Sequence, residues 1–236
     1  MGTFQFNGSF LYKLTSNEII IYIGSFIMLK INFLGDSITE GALASKEENT
    51  YVSLVGTLLH AETRNYGISA TRIAIQHKPS LDPRADIYFA SRVKNMKTDA
   101  DYVFVMGGTN DYGHGDAPFG KIGDKTPDTF CGAVDDLINE LLKYYKKEQI
   151  VFIPPLYRLN EDSPYGDGSK EVPEKTLEEY RQALVTIVQK YGIKVKDIKD
   201  DMGKAENNPL FGDGLHPSDL GHRKIAELLS DYIKTL

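Results

Sequence analysis

A serine in the run Gly35-Asp36-Ser37-Ile38-Thr39-Glu40-Gly41 and a histidine in Asp213-Gly214-Leu215-His216-Pro217-Ser218 are the residues of this chain best suited to covalent chemistry. A serine at a strand-to-helix junction is lifted clear of the sheet edge, and flanking glycines let the chain turn and a ligand come close. A general base needs an imidazole, with a carboxylate to fix its tautomer and orientation. Asp213 stands three residues before His216, so one turn of chain delivers both side chains to the same side. Pro217 suits the first position of a closing helix, which would anchor His216 just ahead of it. Two further segments offer donors for a developing oxyanion: the Gly67 N–H in Asn65-Tyr66-Gly67-Ile68-Ser69 and the Asn110 amide in Gly107-Gly108-Thr109-Asn110-Asp111. Taken singly, each segment has an ordinary explanation as a helix cap or a turn. Together they supply a nucleophile, oxyanion donors, a base and its orienting acid. His60, His77, His114 and His222 have no obvious partners, and His222 reads as a solvated or packed residue of the last helix.

Such residues must be held by a frame. From Lys30 onward, short apolar runs alternate with longer helical patterns. Strands are expected over Lys30–Leu34, Asp101–Met106, Gln149–Pro154 and Ile193–Ile198, with a shorter one near Arg64–Tyr66. Helices are expected to begin near Thr50, Pro83, Thr126, Pro173 and Pro217. Val134, Leu137, Ile138, Leu141, Leu142 and Tyr145 share one face at a 3.6-residue period. Leu177, Tyr180, Leu184, Ile187, Val188 and Tyr191 repeat the pattern, as do Ile225, Leu228, Leu229, Tyr232 and Ile233. Alternation of this kind predicts a mostly parallel sheet covered by helices on both faces, with any ligand beyond the carboxyl ends of the strands. All four chemistry-bearing segments either follow a predicted strand or precede the last helix. Two long Gly/Pro/Asp-rich loops, 112–125 and 156–170, read as binding walls or lids.

Composition narrows the class. At 236 residues, with 41% hydrophobic and 25% charged residues, the chain suits one soluble domain. A net charge of −6 and the lack of a basic stripe argue against a nucleic-acid partner. The lone Cys131 excludes an intrachain disulfide framework and a Cys-based zinc site, and its helical surroundings give it a packing role. The apolar run Ile19–Leu29 is too short to span a membrane and lacks the flanks of a secretory signal, which favours the cytoplasm and no stable membrane insertion. Residues 1–27 precede a single domain over 28–236. They read either as an extension upstream of a natural start at Met28 or as an appended strand pair, since Phe4–Tyr12 has the pattern of a hairpin around Asn7-Gly8. Oligomeric state is not legible.

The set Gly-Asp-Ser-Ile, Asn-x-Gly, Gly-Gly-Thr-Asn-Asp and Asp-x-x-His-Pro resembles, in order, the four blocks of the SGNH (GDSL-type) hydrolases from Lys30 to the C-terminus. That resemblance implies an α/β fold, a three-layer α/β/α, flavodoxin-like, mostly parallel five-stranded sheet. It also implies ester hydrolysis without metal or cofactor. By the same carry-over Ser37 is the nucleophile, His216 the base and Asp213 its orienting acid, and the Ser37 N–H joins the Gly67 N–H and the Asn110 amide in the oxyanion hole. Two departures are small: Ile38 stands where the family name has Leu, and Ala70 falls where a Gly often follows the second block's Ser.

For the substrate pocket the expected residues are Asp36, Tyr112, His114 and Tyr157, with Asp116, Phe119, Arg158 and Tyr165 as further walls. Their mix of aromatic and polar groups suits a small-molecule ester such as an acetylated carbohydrate better than a long lipid chain. Lysophospholipid or thioester substrates come next. Two rivals are a non-enzymatic flavodoxin-like binding module and an inactive relative that only binds carbohydrate. The first is disfavoured because neither Gly-x-x-x-x-Gly-Lys-Ser/Thr nor Gly-x-Gly-x-x-Gly after a strand is present. The second is disfavoured because every catalytic residue type is there.

Overall fold

The computed structural model describes residues 5–6, 9–10 and 28–236. The dipeptide strands β1 (Gln5–Phe6) and β2 (Ser9–Phe10) pair antiparallel, as a hairpin requires. The Asn7-Gly8 turn and the apolar run up to residue 27 lie outside the described residues.

From β3 (Lys30–Gly35) the chain passes through the one-turn α1 (Ser37–Glu40) and α2 (Tyr51–Leu59) to β4 (Glu62–Gly67). Next come α3 (Phe89–Val93), β5 (Tyr102–Met106), α4 (Thr109–Gly113), α5 (Phe130–Leu142) and β6 (Ile150–Ile153). The chain closes with α6 (Leu177–Lys190), β7 (Lys194–Val195), α7 (Lys199–Met202) and α8 (Asp219–Ile233). The five strands β4-β3-β5-β6-β7 lie in that order and every pair is parallel. This is the doubly wound, flavodoxin-like order, with its switch point between β3 and β5.

Both faces of the sheet are apolar because both are covered. Leu34, Val103, Val105, Ile150 and Phe152 pack under α3, α5 and α6. Ile31, Phe33, Phe104, Met106, Val151 and Ile153 pack under α2 and α8. The architecture is therefore the expected α/β/α sandwich. Gly35 pairs with both Gly67 and Met106, and Met106 with Ile153, so four strands end at one level. Everything that follows those residues emerges at the same rim.

Helix starts fall a few residues later than the sequence suggests, because hydroxyl caps set them. Thr50, Thr129, Thr176 and Ser218 each accept a backbone N–H of the first turn. Pro217 thus precedes the cap of α8 instead of opening the helix, and instead bridges to Phe211. Pro83 opens only a 3-10 turn, Pro83–Asp86, ahead of α3. The last strand is also shorter than expected: Lys196 still bonds to the Phe152 carbonyl, but Asp197 turns away to pair with Arg181 at 2.5 Å. Among the described residues no helix is long and apolar enough to cross a membrane.

Candidate active site

The serine is positioned by what surrounds the end of β3. Gly35 has no side chain because Thr39 and the Met106 carbonyl close over it. Asp36, 1% exposed, caps α1 by accepting the Ile38 N–H at 3.0 Å, which leaves Ser37 as the first helical residue. In that first turn the helix offers the Ser37 N–H no acceptor. Burial pushes the Asp36 carboxyl up to about 6, and its second oxygen has no hydrogen-bond partner among the described residues.

His216 reaches the serine from 179 positions away. A bridge between Phe211 and Pro217, with the Gly212 N–H on the His216 carbonyl at 2.9 Å, closes a small loop ahead of α8. Asp213 shapes that loop with one oxygen, which accepts the Leu215 and His216 N–H groups at 3.0 and 2.7 Å. Its other oxygen meets His216 Nδ1 at 2.7 Å. The imidazole is thereby aimed, and Nε2 stands 2.9 Å from Ser37 Oγ. Burial works against the Asp213 charge, but the His216 hydrogen bonds outweigh it and hold the carboxyl below the usual range. A hydroxyl, an imidazole and a carboxylate in this chain of contacts can generate an alkoxide-like nucleophile on demand.

The residues expected to supply oxyanion donors sit at the ends of the neighbouring strands. Gly108 takes a left-handed conformation (φ 105°) to start α4, which carries Asn110, 3% exposed. One N–H of the Asn110 amide is fixed on the Thr71 carbonyl at 3.0 Å, leaving the second for a ligand. The neighbouring Asp111 carboxylate accepts the Ile73 and Ala74 N–H groups at 3.0 and 2.9 Å, so residues 71–74 are docked on α4. Arg92 braces the same corner, reaching the carbonyls of Tyr66 and Gly35 and the Thr71 hydroxyl.

Gly67 is not the free donor that the sequence suggests. Its N–H is already held by Asn65 Oδ1 at 2.8 Å, and Asn65 in turn donates to the Thr39 carbonyl at 2.7 Å. A Cβ at Gly67 would collide with the backbone of Thr39 and Glu40, so packing against α1 accounts for this glycine. The free group lies three residues on. Ala70 is left-handed (φ 61°), and its N–H makes no hydrogen bond among the described residues. Glu40 clamps the preceding residue by accepting the Ser69 N–H at 2.8 Å as well as the Ser69 hydroxyl. The only hint in the sequence is the resemblance itself, which puts a Gly where Ala70 stands.

A family model described as the GDSL-like Lipase/Acylhydrolase family matches residues 33–224. The chain belongs to this family. It is a carboxylic ester hydrolase. No curated protein sequence matches it. A crystal structure of a Lactobacillus plantarum protein superposes with TM-score 0.73 at 26% identity, covering 88% of this chain and 97% of that one. An aryl esterase from M. smegmatis does so at TM-score 0.66 and 18% identity, covering 88% and 99%. A carbohydrate acetylesterase from Sinorhizobium meliloti gives TM-score 0.66 at 16% identity, again covering 88% and 99%. The last two likenesses speak to the fold alone.

The residues expected to line the hydrolase's substrate pocket are mostly occupied elsewhere. Asp36 is buried beneath the serine as a cap. Tyr112 is fully buried, and its hydroxyl holds the carbonyls of Asn160 and Ser163. His114 meets Asp167 at 3.3 Å across the two long loops; burial, then Arg72, holds its imidazole below the usual range. Tyr157 points to α7, donating to Asp200 at 3.1 Å beneath the ammonium groups of Lys199 and Lys204. Asp116 accepts the His77 and Lys78 N–H groups, and Phe119 stacks on Phe130. Lys170 adds a bond to the Gly115 carbonyl at 3.0 Å. These polar and aromatic groups stitch the loops into one wall. Arg158 differs from them.

Proposed function

We propose that this hydrolase cleaves short-chain acyl esters, acetylated carbohydrates foremost, through an acyl-enzyme on Ser37. The carrying observation is the contact chain from Ser37 Oγ to His216 Nε2 at 2.9 Å and from Nδ1 to Asp213 at 2.7 Å. As Oγ attacks the ester carbonyl, His216 takes its proton, and the carbonyl oxygen gains its charge against the Asn110 amide and the N–H groups of Ala70 and Ser37. Collapse expels the alcohol, which takes the proton back from His216. Water then loses a proton to His216, attacks the acyl carbon and releases the acid and the serine.

The preference for small, polar esters is supported by the loops, which are cross-linked by polar contacts and present no extended apolar lid. The named activity of the Sinorhizobium meliloti carbohydrate acetylesterase, a fold neighbour, is in keeping with it. The test combines a fluorophosphonate label with hydrolysis of p-nitrophenyl esters of increasing acyl length and of acetylated sugars. Wild type is expected to label at Ser37 and to favour acetyl over octanoyl esters. Ser37→Ala is expected to lose label and on the order of 10⁴–10⁶ in kcat. Near-wild-type turnover by Ser37→Ala removes the assigned nucleophile. A preference rising with chain length redirects the substrate to lipids.

A further inference from the structure

Four arginines are buried in the described residues: Arg72, Arg92, Arg158 and Arg181. Burying a cation is costly unless a carboxylate or a full set of acceptors compensates it. Arg181 has Asp197 and Glu178, and Arg72 has Asp86 at 3.7 Å. Arg92 has no carboxylate within 4 Å, but both of its terminal nitrogens are used, on three acceptors. Arg158 has neither form of compensation. It is 8% exposed and belongs to no ion pair among the described residues. Only Nη1 is engaged, on the Thr109 carbonyl at 3.0 Å and the Thr109 hydroxyl at 3.3 Å. Nε is buried without a partner, as it is in Arg72 and Arg92, but in Arg158 alone of the four Nη2 and the charge are also left without a carboxylate or a full set of acceptors among the described residues.

Its place in the fold gives this unsatisfied fork a use. Arg158 follows β6 at the rim where the strands end, and its Nη1 sits on the residue before Asn110. The next residue, Leu159, donates its N–H to the Gly214 carbonyl at 2.8 Å, inside the loop between Asp213 and His216. The guanidinium therefore lies against the helix that carries Asn110, on Thr109 at one end and beside Gly113 at the other, while the next residue joins the loop of Asp213 and His216. The Tyr112 ring, 5.5 Å from its carbon, supports it from one side. Asp167, Asp36 and Asp213 act on its charge from beyond ion-pair distance; Asp167 and Asp213 are engaged by His114 and His216, and Asp36 is buried as the cap of α1.

We propose that Arg158 is a carboxylate-recognition site beside the scissile ester, selecting substrates whose acyl or alcohol half carries a carboxylate. A carboxylate matches a guanidinium whose charge is unpaired and whose Nη2 is uncommitted better than any neutral group does. The proposal rests on the hydrolase reading of Ser37 and His216.

The test compares kcat/KM within two matched pairs. Phenyl acetate against 4-acetoxybenzoate places the charge on the alcohol half, and methyl butyrate against monomethyl succinate places it on the acyl half. Wild type is expected to favour the charged member of one pair by about tenfold to a hundredfold, as a charge-assisted hydrogen bond provides. Arg158→Gln is expected to erase that preference, lowering kcat/KM for the charged member of the pair by about the same factor more than for its neutral partner. Arg158→Lys, with charge but no fork, is expected to keep part of it. Wild type without preference in either pair overturns the proposal, whatever the variants do. An Arg158→Gln protein that loses both members of a pair equally also overturns it, because the arginine then only staples α4 to the loop. Fluorophosphonate labelling of the same wild-type preparation separates the failures. A labelled enzyme without preference overturns the Arg158 assignment alone, whereas an unlabelled one overturns the hydrolase reading and this proposal with it.

Discussion

At the scale of single residues, the proposed oxyanion donors show how a letter and its physical role come apart. Gly67 invites a functional reading because glycine lets a ligand approach, yet Thr39 and Glu40 are what approach it. Ala70 attracts no attention as an alanine, although its left-handed backbone frees the N–H that Gly67 lacks. No spacing rule reports a positive φ, so beyond the hint in the family resemblance this candidate donor emerges only from the fold. Asn110, by contrast, is a candidate the sequence offers directly, because a side-chain donor carries its chemistry in its name. Replacing it by Asp keeps the shape and removes the donor. Asn110→Asp is expected to lower kcat by about 10²–10³ with a much smaller change in KM, since the donor acts on the charge that develops in the transition state. Steady-state kinetics on p-nitrophenyl acetate checks this, and an unchanged kcat removes Asn110 from the hole.

At the scale of elements, helices with a clear apolar period are read from the sequence within a few residues, and the misplacements trace to caps. The long loops resist reading for a different reason: a tyrosine or histidine in a Gly-rich stretch looks like a ligand contact until its partner across the loop is known. Tyr112, His114 and Tyr157 are all of this kind. His222 is the helical counterpart. It is fully buried between α8 and α2, where Nδ1 accepts the Tyr51 N–H at 3.2 Å and Nε2 donates to the Ala42 carbonyl at 3.1 Å. Burial holds its imidazole below the usual value, and a proton on Nδ1 would break the bond to Tyr51. The unfolded chain binds that proton near pH 6.5, so the stability from His222 is present above about 6.5 and lost as pH falls. His114 acts with the same sign. Asp36 acts with the opposite sign: its carboxyl, raised to about 6 by burial, contributes stability that is full below its unfolded value and lost as pH rises through 6. The net wild-type curve mixes these terms, so the informative quantity is a difference. The drop in melting temperature from pH 8 to pH 5.5 is expected to be smaller for His222→Gln than for wild type. Equal drops would mean that His222 is not held neutral.

At the scale of the whole molecule, the alternation of strands and helices predicts the sandwich, and the rule that sites gather beyond the strand ends predicts the rim. The device that keeps a residue near position 37 in register with one near position 216 is not predicted. The structure supplies it in the first turn of α8. Asp219 accepts the Ser45 N–H at 2.8 Å, the Ser45 hydroxyl at 2.6 Å and the Asn49 amide at 3.0 Å. His222, three residues on, holds the Ala42 carbonyl from the same helical turn. The segment leaving α1 is thus gripped by α8, which follows His216, and the grip lies outside the contact chain itself. Cutting it should loosen the approach of Ser37 to His216 without altering either group. Asp219→Ala is expected to lower kcat by about tenfold, since a small misplacement of reacting groups has a large effect on rate. KM for a small ester should change little, because no substrate contact is removed. Asp219→Asn, which still offers one acceptor oxygen, is expected to recover part of the loss. If Asp219→Ala keeps wild-type kcat while its melting temperature falls, the contact serves only stability, and register is set by the Phe211–Pro217 bridge and the sheet.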